Sequence, residues 1–165
     1  MKVLQIQKKI TKVNRTKINN KENKYIVIHY TGNNGDTAKG NCNYFENVNR
    51  QSSAHYFVDE NSIWQCVEDY DVAWHVGGAK KYYNGCRNNN SIGVELCSRI
   101  NADGEFIIKE ETIKNADAVL FALNCSIEEV EGIERFIDCE YYEVDTNTVI
   151  NNTVEVLKEI EADIQ

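Results

Sequence analysis

Two polar residues stand where apolar ones are expected. His29 falls near the end of Tyr25-Ile26-Val27-Ile28-His29-Tyr30, and Glu95 interrupts Ser91-Ile92-Gly93-Val94-Glu95-Leu96-Cys97. A third, His75, follows Trp74 in a long stretch with loop character. An imidazole at a strand end and a carboxylate in apolar surroundings suit a mononuclear zinc hydrolase. His29 would hold part of the metal, and the metal would lower the pKa of its bound water. Glu95, its own pKa raised by burial, would take that proton and pass it to a leaving amine. Each residue alone has a plainer reading: a strand histidine is more often a hydrogen-bonded core residue, and a lone glutamate in an apolar strand can simply pair with an arginine.

The elements that must position these groups are legible in outline. Residues 25–30 form a nearly unbroken β-branched and aromatic run, the mark of a strand buried on both faces. It ends at Thr31-Gly32-Asn33-Asn34-Gly35, a loop signal. Asp36 or Thr37 is placed to cap a helix reaching about Arg50. Residues 53–59 and 62–67 read as two strands joined by a tight hairpin at Asp59-Glu60-Asn61. The long stretch 69–90, with Trp74, His75 and Gly77-Gly78, is expected to be a functional loop. Residues 91–97 are a further apolar strand, and 110–123 a helix with Ile113, Ala116, Leu120 and Leu123 on one face. Ser126 and Glu129 have capping-box spacing, 132–137 is read as a last short strand, and 147–164 as an amphipathic closing helix. The expected fold class is α/β: one domain over 1–165 with a central mixed β-sheet flanked by helices, and 1–24 as a basic arm or edge strand.

Composition narrows the functions. The net charge of −8 argues against general nucleic-acid binding. Lysines and arginines crowd residues 2–24 and acids crowd the last third, read as two solvated faces of opposite sign, with a basic arm for an anionic partner as the sharper option. No apolar run reaches membrane-spanning length, and the N-terminus lacks the apolar core of a secretory signal, so a cytoplasmic protein is expected. The six cysteines form no C-x-x-C pair and are read as reduced thiols, mostly small core residues. Proline is absent.

Five ordered blocks then carry a resemblance. They are Ile26-Val27-Ile28-His29-Tyr30-Thr31, Asn43-Tyr44-Phe45, Ser53-Ala54-His55-Tyr56-Phe57-Val58-Asp59, Ala73-Trp74-His75-Val76-Gly77 and Asn89-Asn90-Ser91-Ile92-Gly93-Val94-Glu95-Leu96-Cys97. Together, over about 25–113, they look like the type-2 N-acetylmuramoyl-L-alanine amidases of phage endolysins and bacterial cell-wall enzymes, a family similar in fold to the peptidoglycan-recognition proteins. The resemblance implies cleavage of the amide between the lactyl group of N-acetylmuramic acid and L-alanine. It implies His29 as the first zinc ligand, Glu95 as general base, and a peptide groove lined by Trp74, His75 and Asn90. The ligand-contacting set expected from these blocks is His29, Tyr30, His55, Trp74, His75, Asn90 and Glu95. A phage or bacterial origin is expected.

The chain departs from the family late. Where the family has a motif close to R-H-Y-D-V-T-G-K-x-C-P, this chain has Arg135-Phe136-Ile137-Asp138-Cys139-Glu140-Tyr141-Tyr142-Glu143-Val144-Asp145. Phe136 stands for the second histidine ligand, Tyr142 for the lysine and Val144 for the cysteine ligand, and no histidine follows His75. Part of the proline deficit has the same origin. Ligand number decides a zinc site, so the preferred expectation is an amidase-like pseudoenzyme with no cofactor. It would bind a muropeptide, or another small anionic molecule such as a nucleotide signal, without cutting it. The alternative is an active zinc amidase with unorthodox ligands from Asp138, Cys139, Glu143 or Asp145. A protein-binding module using the acidic last third is the minority reading.

Overall fold

The computed structural model describes residues 4–77, 85–122, 129–131 and 144–145. The chain opens with β1 (Ile6–Lys8), β2 (Tyr25–Tyr30), α1 (Ala38–Glu46), β3 (Tyr56–Val58) and β4 (Ile63–Gln65). A 3-10 turn (Asn88–Asn90) leads into β5 (Ser91–Leu96). Then come β6 (Arg99–Ile100), β7 (Phe106–Ile107), α2 (Glu110–Ala122), β8 (Glu129–Glu131) and β9 (Val144–Asp145). Seven strands form one mixed sheet in the order β1-β4-β3-β5-β2-β8-β9. Pairings β1/β4, β3/β5, β2/β5 and β2/β8 are parallel, and β3/β4 and β8/β9 antiparallel.

The sheet is covered on two sides because its strands are apolar on both. Strand alternation sends Ile26 of β2, Tyr56 and Val58 of β3, and Ile92, Val94 and Leu96 of β5 into one core, closed by Ala116 and Val119 of α2. Phe57 of β3 belongs to a second core, packed with Ala38 and Cys42 of α1, Ala54, Cys66 and Cys97. His29 and Glu95 are register partners, and Glu95 pairs with Phe57 on its other side. Partners in register share a face, so the two polar residues lie side by side on the α1 face at the C-terminal end of the central strands.

Several boundaries move. Helix α1 ends at Glu46, short of Arg50. The fully buried Asn14 donates to the carbonyls of Phe45 (2.6 Å) and Val48 (2.7 Å), and Thr11 Oγ1 to Phe45 (2.6 Å). These side chains take the carbonyls that a continuing helix would have satisfied. The stretch 53–55 is extended but outside β3, with Ser53 N–H bonded to Trp74 O at 3.1 Å. Glu129, expected in a helical capping box, opens strand β8 instead, because its partner β2 offers an open parallel edge. Hairpin β6/β7 was not anticipated. The expected strand 132–137, Phe136 and the helix 147–164 lie outside the described residues, as do Ser126 and Tyr142.

Residues 6–8 form one edge strand of the sheet, and three basic residues in and after it make ion pairs: Lys8 with Glu68 (3.1 Å), Lys9 with Glu46 (3.2 Å) and Arg15 with Asp71 (3.0 Å). The cysteine expectation needs correction. Cys42 of α1 and Cys66, just after β4, are joined by a disulfide, their Cα atoms 5.6 Å apart. Packing of α1 across β4 brings together two residues whose sequence spacing resembles no redox motif. No described helix is long and apolar enough to cross a membrane.

Candidate functional site

A cavity of about 600 Å³ opens between α1 and the ends of β2, β3 and β5. Glu95 and Phe57 form part of its floor, Tyr30 and Thr31 one wall, and Asn41, Tyr44 and Phe45 of the helical segment the other. Ser52 and Ser53 complete the rim. The Asn43-Tyr44-Phe45 block and the block opening at Ser53 pointed to this lining without naming its role, whereas Asn33, Asn41 and Ser52 carried no signal as single polar residues in loops or helices.

Glu95 has the most unusual environment of the cavity-lining residues. Its Oε2 is buried and makes no hydrogen bond. Burial, reinforced by the negative charge of Asp36, raises its pKa to about 7. Asp36 is itself held by Asn41 Nδ2 (2.7 Å) and Asn33 Nδ2 (3.2 Å), leaving its Oδ1 buried without a partner. Among the described residues no arginine pairs with Glu95. A carboxyl half-ionised near neutrality, facing a cavity, can accept or donate a proton there.

His29 stands beside it. Burial lowers its pKa to about 4, so the ring is neutral at physiological pH. Its Nε2 lies 3.1 Å from His75 Nδ1, and His75 Nε2 lies 3.1 Å from Ser91 Oγ. Burial likewise brings His75 down to about 3. Loop 69–90 delivers His75 to this point from 46 residues away. Its backbone N–H and that of Val76 both donate to Asn88 Oδ1, at 3.0 and 2.7 Å.

The other expected contacts are placed differently. His55 is fully buried in the sheet, its Nδ1 accepting from Gly93 N–H (3.0 Å) and its Nε2 lying 2.7 Å from Lys21 Nζ. It is not among the residues that line the cavity. Asn90 uses both ends of its amide in its own turn, donating to Gly85 O (2.9 Å) and accepting from Arg87 N–H (2.7 Å). Trp74 touches the rim through its backbone, with N–H to Ser53 Oγ at 2.9 Å, and anchors its indole N–H on Thr16 Oγ1 at 3.0 Å. Tyr30 does line the cavity, with Phe106 packed at 6.0 Å.

Could the site hold zinc? Among the described residues no three of His, Cys, Asp and Glu converge on one point. The whole sequence has three histidines, and His55 and His75 each engage both ring nitrogens within the protein. A centre with two imidazoles would have to break one of those bonds. His29 fits the role of a zinc ligand; the described donors do not complete the set.

Comparison with known proteins agrees with this geometry. The N-acetylmuramoyl-L-alanine amidase profile matches residues 19–133. A probable N-acetylmuramoyl-L-alanine amidase of Bacillus licheniformis is 37% identical over 101 residues, covering 56% of this chain and 27% of that protein. The amidase CwlH of Bacillus subtilis is 37% identical over 94 residues, covering 56% of this chain and 34% of its own length. The chain thus spans about a third or less of these relatives. Among solved structures, a mutant endolysin from Bacillus subtilis superposes with a TM-score of 0.58 at 31% identity, over 73% of this chain and 75% of its own. PlyL does so with a TM-score of 0.61 at 28% identity, over 77% and 79%. With the family model matched over residues 19–133, the chain belongs to the N-acetylmuramoyl-L-alanine amidase family.

Proposed function

We propose that this chain is a binding member of its family, holding a muropeptide in the cavity beside Glu95 without hydrolysing it. One observation carries the reading: His55 and His75 have all four ring nitrogens engaged inside the protein, in a chain with three histidines. Phe136 and Val144 at the late motif positions point the same way. The cavity retains what recognition needs: aromatic walls at Tyr30 and Tyr44, short polar side chains between them, and a buried carboxyl with an unused oxygen.

The test begins with elemental analysis of chain purified without chelator or metal resin. Less than about a tenth of an equivalent of zinc is expected, with none retained after zinc is added and dialysed away. Calorimetric titration with N-acetylmuramoyl-L-alanyl-D-isoglutamine should then give binding, and prolonged incubation no free L-alanyl peptide. Catalytic release of that peptide would overturn the reading. Binding of a nucleotide in place of the muropeptide would keep the pocket and change its ligand.

A second reading has its own support. Glu95, with its pKa near 7, an unpartnered buried oxygen and a place in the cavity lining, has the properties of a working general base. Under that reading the chain is a zinc amidase in which His29 is one ligand and Asp138, Cys139, Glu143 or Asp145 supply others. Bound zinc would polarise the amide and lower the pKa of its water. Glu95→Gln would then abolish cleavage while leaving muropeptide affinity within about twofold.

A further inference from the structure

Arg50 is a cation that the described residues do not neutralise. Arg15 and Arg99 each hold a carboxylate, those of Asp71 and Glu60. Arg87 folds back onto the carbonyl oxygen of Cys86. Glu46, the one acid of α1, is paired with Lys9 at 3.2 Å. Arg50 makes no ion pair with a described residue. Its Nε–H is directed to the Tyr44 carbonyl oxygen at 3.4 Å, and its two terminal nitrogens bond to no described residue. Those nitrogens carry most of the N–H groups of a guanidinium, set in a planar fork.

The fork is nevertheless held in place, and it is held at the cavity. Its central carbon lies 3.9 Å from the centre of the Tyr44 ring, well inside the range over which a cation is attracted to a π face. Tyr44 is 52% exposed and forms part of the cavity wall, while Ser52 and Ser53, just along the chain, complete the rim. The backbone is fixed as firmly. Arg50 N–H donates to Oδ1 of the fully buried Asn14 at 2.7 Å, and Gln51 N–H to Asn49 Oδ1 at 2.9 Å. Gln51 takes a left-handed φ of 56°, uncommon for a residue with a side chain and unfavourable in free energy. The unfavourable turn is the one that lays Arg50 on the cavity wall.

A guanidinium fork matches the two oxygens of a carboxylate. Stacking on a ring restricts the side chain in advance, so less freedom is lost when a ligand arrives. The carboxyl of Glu95 on the cavity floor repels an acidic group, so charge directs such a group towards the rim.

We propose that Arg50, stacked on Tyr44, receives a carboxylate of the bound muropeptide and makes the cavity selective for acidic over amidated peptide ends. The assignment rests on the muropeptide-binding reading.

N-acetylmuramoyl-L-alanyl-D-isoglutamine carries a single carboxylate, at the end of its peptide. Calorimetric titration of the full chain compares it with the same molecule in which that carboxylate is a carboxamide. Wild type should bind the acid about tenfold more tightly than the amide, and the preference should shrink as salt is raised. Arg50→Gln should bind the two molecules alike. Arg50→Lys, which keeps the charge without the fork, should retain only part of the preference. A purely structural role for Arg50 would weaken both molecules together and keep their ratio, so the ratio isolates the charge contact. Equal binding of acid and amide to wild type would overturn the assignment, and so would a ratio unchanged in Arg50→Gln; both results leave muropeptide binding intact. Failure of wild type to bind either molecule would overturn the muropeptide reading and this assignment with it.

Discussion

Glu95 and Gly93 sit two residues apart on one face of β5, and each has a measurable signature. Glu95 titrates near 4.5 in the unfolded chain and near 7 in the fold. Between those values the folded protein holds a proton that the unfolded chain has released, so stability is fully present below pH 4.5 and lost as pH rises through about 7. Glu95→Gln is neutral at every pH. It should therefore be more stable than wild type at pH 8, by up to roughly 3 kcal/mol, with the advantage vanishing towards pH 4.5; thermal unfolding across that range checks it. Gly93→Ala tests the seat of His75. Its methyl would collide with the His75 ring, so a loss of about 1–3 kcal/mol is expected in urea unfolding. At this scale His29 and Glu95 were legible because each breaks an apolar run. The chain through His75 and Ser91 was not, because hydrogen bonds between distant segments leave no periodicity.

Between α1 and the β3/β4 hairpin, one carboxylate and one disulfide do the joining. Asp59 is buried, accepting from Ala38 N–H (2.7 Å) at the first turn of α1 and from the N–H groups of Asn61 (2.8 Å) and Ser62 (2.7 Å) in the hairpin. It thus caps a helix from a strand end while Thr37 Oγ1 caps it locally, accepting from Gly40 N–H at 3.1 Å. Asp59→Ala leaves three backbone donors and the Ser62 hydroxyl without their acceptor and should cost about 3 kcal/mol, against about 1 kcal/mol for Thr37→Ala, both read from denaturant midpoints. The Cys42–Cys66 bond spans a sequence separation of 24 and ties α1 to β4 beneath the cavity wall. Its reduction should lower stability by about 3 kcal/mol, seen as a fall in Tm on adding a reductant, and Cys42→Ser should show the lower Tm with no further response. The hairpin turn at Asp59 and the Thr37 cap were readable as local chemistry. The disulfide was not, since two isolated cysteines declare no partner until helix and strand are packed.

Across the whole molecule, the three histidines make the fold acid-sensitive. Burial lowers the pKa of each: His29 to about 4, His75 to about 3, and His55 well below its ordinary value. A group depressed in the fold stabilises it above the unfolded pKa, here 6.5, and loses that contribution as pH falls through the folded value. Tm should therefore decline from pH 6.5 towards pH 4. Glu95 opposes the decline over part of that window, so Glu95→Gln should make it steeper; a flat profile in that variant would contradict neutral burial of the histidines. Three residues of the basic start, Lys8, Lys9 and Arg15, pair with Glu68, Glu46 and Asp71; the acidic last third lies almost wholly outside the described residues.

The sequence by itself determined the α/β class, the order of the main strands and helices from β2 to α2 apart from the β6/β7 hairpin, and an imidazole and a carboxyl each set in an apolar strand. Each follows from local rules: β-branched runs that bury on two faces, capping residues at a helix start, a polar residue that interrupts an apolar strand. Tertiary structure alone decided which of the polar residues face the cavity. It turned His55 and Asn90 into structural groups by satisfying them within the protein, put His75 behind His29 by seating it on Gly93, and joined Cys42 to Cys66. These outcomes depend on which donors and acceptors meet across segments far apart in the chain, and a residue type is compatible with either outcome until those partners are in place.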